Sequence, residues 1–140
     1  MAKKLIDLIQ FDTGKYTFNF KLNGAITVIC GDSSTGKTLF YNKLMYEALS
    51  KNNEQYKFIN FKDKANIDLF LNNFKNKVII IDNADILIDI NLSNKIYRDR
   101  SNQYILMGRR VDRYNAGRDV AIIRENSQKF TLRYIFMPKE

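Results

Sequence analysis

Ala25-Ile26-Thr27-Val28-Ile29-Cys30-Gly31-Asp32-Ser33-Ser34-Thr35-Gly36-Lys37-Thr38 runs from an apolar stretch through a glycine-bounded loop into a segment with helical spacing. The stretch Ala25 to Cys30 reads as a buried strand. After the loop, Leu39, Phe40, Leu44, Met45, Ala48 and Leu49 recur on one helical face, so Lys37 to Leu49 is predicted as a helix. Strand, glycine loop and helix start, in that order, make a phosphate cradle: loop N–H groups and the positive helix end surround phosphate oxygens without needing side chains. Gly31 and Gly36 let the backbone turn and approach closely. Lys37 would reach the β- and γ-phosphates, and the Thr38 hydroxyl would ligate the Mg²⁺ that bridges them. Ser33, Ser34, Thr35 and Leu39 complete the expected nucleotide-binding set with Gly31, Gly36, Lys37 and Thr38.

Upstream, Leu5 to Phe11, a turn at Asp12 to Lys15, and the alternating run Tyr16 to Leu22 predict a β-hairpin that feeds the loop strand through Asn23-Gly24. Downstream, Tyr56 to Phe61 reads as a strand, Asn66 to Phe74 as an amphipathic helix and Val78 to Ile81 as a strand buried on both faces. Ile86 to Arg98 reads as a helix or broken helix and Tyr104 to Met107 as another buried strand. Gly108 to Gly117 is an arginine-rich loop, and Val120 to Arg124 with Phe130 to Phe136 forms a terminal hairpin. The alternation of strands and helices after residue 25 argues a single domain, residues 1–140, with a parallel sheet and helices on both faces.

Composition narrows the chemistry. The chain has 140 residues, no histidine and one cysteine, which excludes histidine-based zinc sites, Ser-His-Asp triads and a disulfide scaffold. No segment has the character of a signal peptide or membrane span, so a cytoplasmic protein is expected. The net charge is +8, and all eight arginines fall between Arg98 and Arg133. Arginine suits bidentate phosphate or carboxylate contacts, so region 98–133 is the expected surface for a protein or nucleic-acid partner; a basic surface with no partner is the alternative.

Val78-Ile79-Ile80-Ile81-Asp82 supplies the second half of a nucleotide site: an apolar strand that delivers a carboxylate beside the loop, where Asp82 would hold Mg²⁺ through water. Gly31 to Thr38 matches the Walker A pattern and Val78 to Asp82 the Walker B pattern, and on these the chain resembles the P-loop NTPase superfamily. The opening hairpin resembles that of ABC-type ATPases and their SMC relatives, although the chain has no Leu-Ser-Gly-Gly signature. Val78 to Asp85, with Gln103 to Arg109, is similar to AAA+ and STAND-type ATPases, whose sensor strand ends in a polar residue that watches the γ-phosphate. The resemblance implies an α/β fold, a three-layer sandwich with a mainly parallel central sheet, an N-terminal antiparallel hairpin and a C-terminal β-hairpin. It also implies ATP and Mg²⁺ as cofactors, Lys37 and Asp82 as catalytic residues and Arg109 as a sensor, with Arg110 and Arg113 as other candidates. Arg109 as a surface charge or partner contact is the other reading. Phe11 and Tyr16 occupy the hairpin from which ABC-type proteins stack an aromatic on adenine.

Asn83 departs from the resemblance. The residue after the Walker B aspartate is normally a glutamate that orients the attacking water, and an amide cannot accept a proton as a carboxylate does. Asp85 is the nearest substitute, as a base or as a cap on the following helix. The expected function is Mg-ATP binding with weak or partner-dependent hydrolysis in an accessory or regulatory factor. The alternatives are a nucleotide-dependent nucleic-acid- or protein-binding module without significant hydrolysis, and a small-molecule kinase with an arginine-rich lid from Arg98 to Arg118. The chain carries no Asn-Lys-x-Asp guanine-reading motif, which favours ATP over GTP.

Overall fold

The computed structural model describes residues 3–32, 35–109 and 119–137. Eight strands, β1 (Leu8–Asp12), β2 (Thr17–Lys21), β3 (Ile26–Cys30), β4 (Tyr56–Ile59), β5 (Val78–Ile81), β6 (Gln103–Gly108), β7 (Asp119–Asn126) and β8 (Lys129–Phe136), form one sheet in the order β1-β2-β8-β7-β3-β6-β5-β4. The described helices are α1 (Lys37–Ser50) and three short ones, α2 (Ile67–Asn73), α3 (Ala84–Leu87) and α4 (Ile90–Arg98). A single 3-10 segment, Phe61–Asn66, leads into α2.

The expected P-loop three-layer sandwich on a mainly parallel central sheet is corrected: the chain is a small, curled mixed sheet of eight strands with few helices. The two hairpins, β1/β2 and β7/β8, are antiparallel and are not appendages to a parallel core. They join each other through a parallel β2/β8 pairing and make up half the sheet. Beyond the start of β7, where Val120 and Ile122 join the cluster on the opposite face, their alternating patterns bury one face only. Ile9, Phe11, Phe18, Phe20 and Phe130 point to the core, whereas Gln10, Asn19, Thr131 and Arg124 lie in register across the outer face and, apart from any cover by residues outside those described, stay exposed. Polar side chains on that face cannot hold a second helical layer by apolar burial, so helices back only part of the sheet.

The other half, β3-β6-β5-β4, is parallel, with β3, β6 and β5 buried on both sides and β4 a half-buried edge. Val78 and Ile80 of β5 enter an aromatic cluster beneath α1, while Ile79 and Ile81 enter a second cluster beneath α2, α3 and α4. In the first cluster Phe20 meets Phe40 of α1 at 4.4 Å between ring centroids, and Phe18 stacks on Phe130 at 4.8 Å. Each such ring contributes about 1.5–3 kcal/mol by leaving water. This cluster fixes α1, and with α1 the glycine loop.

Candidate functional site

Parallel pairing brings the carboxyl ends of β3, β6 and β5 side by side. Cys30 is opposite Gly108, and Ile81 is opposite Leu106, so the next residues, Gly31, Arg109 and Asp82, emerge at one edge. Gly31 and Gly36 adopt φ of 135° and 100°. A Cβ on Gly36 would stand 3.2 Å from the Phe130 ring, so both backbone and packing demand glycine there. Gly36 also starts α1, with its carbonyl accepting from the Phe40 N–H at 2.9 Å.

Lys37 is buried at the loop mouth, 6% exposed. Its ammonium donates to the carbonyls of Gly31 (2.5 Å) and Asp32 (2.7 Å) and to Thr35 Oγ1 (3.2 Å). Burial pushes the Lys37 pKa down; the negative charge of Asp82 opposes this, as do Cys30 and Asp32, while nearby Arg109 adds a small push in the same downward direction. Thr38 Oγ1 donates to Asp82 Oδ2 at 3.2 Å, which ties the first turn of α1 to the end of β5. Asp82 is 6% exposed, and its Oδ1 accepts the Asn83 N–H at 3.0 Å.

The donor set fits a magnesium nucleotide. Hydroxyl and carboxylate oxygens at one point are hard ligands, and Mg²⁺ is commonly held by one or two carboxylates with phosphate oxygens and water supplying the rest. Among the described residues no group of three or more His, Cys, Asp or Glu could hold a metal alone, so the nucleotide would have to complete the shell. Leu39 follows Thr38 in the first turn of α1 and is half-buried against the aromatic cluster. Ser33 and Ser34 lie outside the described residues.

Asp85 and Arg109 are joined through the backbone. The Arg109 N–H donates to Asp85 Oδ2 at 3.2 Å, and Gly108 is so close that an added Cβ would lie 3.0 Å from Asp85 Oδ1. Asp85 stands in the first turn of α3, while Asp89 is the residue whose carboxylate caps α4, by accepting the Leu92 N–H at 2.8 Å. Arg110 and Arg113 lie outside the described residues. Phe11 is core at 7% exposure; Tyr16 is half-buried and meets Phe130, the ring beneath Gly36, edge-on at 5.6 Å.

Position 83 has a backbone reason for its amide. Asn83 adopts φ 54° and ψ 41°, the left-handed region that asparagine, aspartate and glycine enter more readily than glutamate. No periodicity in the sequence signals this. The sequence also gave no sign that Gln103 and Asn102, both 0% exposed, brace the opposite ends of these strands. Gln103 Oε1 accepts the N–H groups of Leu5 (2.7 Å) and Ile6 (2.8 Å), and its Nε2 donates to the carbonyls of Ile6 and Gly24.

Among the described residues no helix is long and apolar enough to cross a membrane. No protein-family model matches the chain, and no curated protein matches it either.

Proposed function

We propose that the chain binds Mg-ATP at the glycine loop and acts as a cytoplasmic accessory or regulatory factor with weak or partner-dependent hydrolysis. The observation that carries this reading is the Thr38 hydroxyl held 3.2 Å from the Asp82 carboxylate at the mouth of a loop that also contains a buried lysine. Bound there, Mg²⁺ would neutralise phosphate charge and orient the terminal phosphate. The chain's own residues do the rest. Gly31 and Gly36 shape the backbone cradle, Thr38 and Asp82 supply oxygen ligands, and the Lys37 ammonium exchanges loop carbonyls for phosphate oxygens, a stronger charge-assisted partner. Arg109 emerges beside Gly31, and its guanidinium would meet the terminal phosphate from there.

Weak turnover follows from the same edge. The amide of Asn83 cannot take a proton from water, and the carboxylate of Asp85 is turned toward the Arg109 N–H at the end of β6. Calorimetric titration of Mg-ATP tests the binding. Lys37→Ala is expected to weaken it at least tenfold, and Asp82→Asn to remove its dependence on Mg²⁺. Unchanged binding by Lys37→Ala overturns the proposal. Asn83→Asp restores a carboxylate in a residue that tolerates the left-handed backbone, and it is expected to raise the phosphate-release rate.

A further inference from the structure

The fold divides the arginines that the sequence gathers in one region. Arg109 stands at the carboxyl ends of the parallel strands, and Arg124 and Arg133 are exposed on the terminal hairpin. Arg98 and Arg100 lie at the amino ends, where a cleft of about 760 Å³ opens between α2 and α4. Asn91, Asn94, Lys95 and Arg98 line it from one face of α4, at spacings of three, four and seven residues. Arg100 enters from the segment before β6 and Lys75 from the segment before β5.

Among the described residues the single carboxylate in the lining, Asp99, is turned to structural use. It accepts hydrogen bonds from the Tyr104 hydroxyl, from Asn102 Nδ2 at 2.7 Å and, through Oδ1, from the Ser101 N–H at 2.8 Å. Lys95 pairs with Asp68 at 2.5 Å. Lys75, Arg98 and Arg100 have no carboxylate partner among the described residues. The loops that carry the charges are locked together. Asn102 Oδ1 accepts the Lys77 N–H, Asn102 Nδ2 also donates to the Phe74 carbonyl, and the Asn76 N–H donates to the Ser101 carbonyl.

We propose that this cleft binds the phosphodiester backbone of nucleic acid. Its unpaired cations, Lys75, Arg98 and Arg100, are exposed and spread over three segments, which matches a line of charges better than one phosphate, since a single small anion needs donors converging on a desolvated point. Asn91 and Asn94 add neutral donors of the kind that position a backbone. Among the described residues the one aromatic ring in the lining, Tyr104, is 1% exposed and presents no face for a base to stack on, so binding rests on the backbone rather than on stacked bases. The site is separate from the glycine loop, because strands of four to six residues, about 13–20 Å, lie between the two ends.

Fluorescence anisotropy of a short labelled DNA strand and of its duplex, titrated with the full chain over a range of KCl concentrations, tests this. Arg98→Ala/Arg100→Ala is expected to weaken binding roughly tenfold or more at low salt and to reduce the log–log salt slope by about 2. Arg124→Ala/Arg133→Ala, which removes the same charge elsewhere, is expected to change affinity less than about threefold. Lys75→Ala, on another segment, should act in the same direction as the cleft pair if α4 itself is undisturbed, which thermal unfolding by circular dichroism checks. Equal losses from both arginine pairs reduce the effect to general charge attraction and overturn the proposal. So does binding of tripolyphosphate at the cleft without binding of either DNA.

Discussion

The two ends of the parallel strands treat polar groups in opposite ways. At the carboxyl end a lysine is buried against carbonyls at a cost in desolvation, and the backbone takes positive φ at Gly31, Gly36 and Asn83, against Asn76 alone beside the start of β5 among the described residues. At the amino end Gln103 and Asn102 are more deeply buried, yet each directs its amide to several partners. Strained backbone and a desolvated charge persist only where the surroundings over-determine them, and satisfied buried amides rigidify what they touch. The difference teaches that the braced end is what lets the other end hold a site.

Breaking the brace gives the largest expected effect. Gln103→Ala removes partners from two N–H groups and two carbonyls around a side chain that is itself 0% exposed, and is expected to cost about 3–4 kcal/mol in urea unfolding. A loss under about 1 kcal/mol would mean that water replaces the amide and that the amino end is not braced as described. Gly36→Ala strikes the strained end. With φ at 100° and the Phe130 ring 3.2 Å from the new methyl, about 2 kcal/mol of stability is expected to go, together with Mg-ATP binding. Binding lost without stability would place the whole effect in the loop and leave Phe130 uninvolved.

Acid sharpens the comparison from the braced side. Burial works against ionisation of Asp99, but hydrogen bonds from Tyr104, Ser101 and Asn102 outweigh it and hold the carboxyl below its ordinary range. Between the folded and unfolded pKa values the unfolded chain binds more protons, so this contribution is complete above the unfolded value and fades as pH falls through the folded one. Asp99→Asn is therefore expected to be less stable than the parent at about pH 7, with the gap closing below about pH 4. Urea midpoints measured across that range check it; a gap independent of pH would show that the charge on Asp99 does not matter to the brace.

What was legible in the sequence was local. β5 and the strand before the loop are apolar runs, α1 follows from its spaced apolar residues, and Val78–Ile81 falls where the run predicts. The break between α3 and α4 follows from Ile88 in extended backbone and Asp89 as a cap. Assembly was not legible. The partnership of β2 with β8 joins residues more than a hundred positions apart, and no local pattern records it. That pairing turns two hairpins into half of a mixed sheet with a polar outer face. For the site, Gly31, Lys37, Thr38 and Asp82 could be named because each lies in a short motif. The braces could not, because a lone amide before an apolar strand looks like any loop residue until its four partners are assembled around it.

Asn83 gives the smallest effect and the finest test of the strained end. Its φ of 54° costs an ordinary L-residue roughly 1 kcal/mol, whereas glycine enters the region freely and asparagine and aspartate tolerate it. Asn83→Ala is expected to lose about 1 kcal/mol in urea unfolding, while Asn83→Gly and Asn83→Asp stay within about 0.5 kcal/mol of the parent. Equal stability for alanine and glycine would remove the left-handed backbone as a constraint. The amide would then need a chemical explanation at the edge where Asp82 and Lys37 meet. With alanine alone destabilised, position 83 is selected first by its backbone, and the missing glutamate becomes a consequence of how β5 turns into α3.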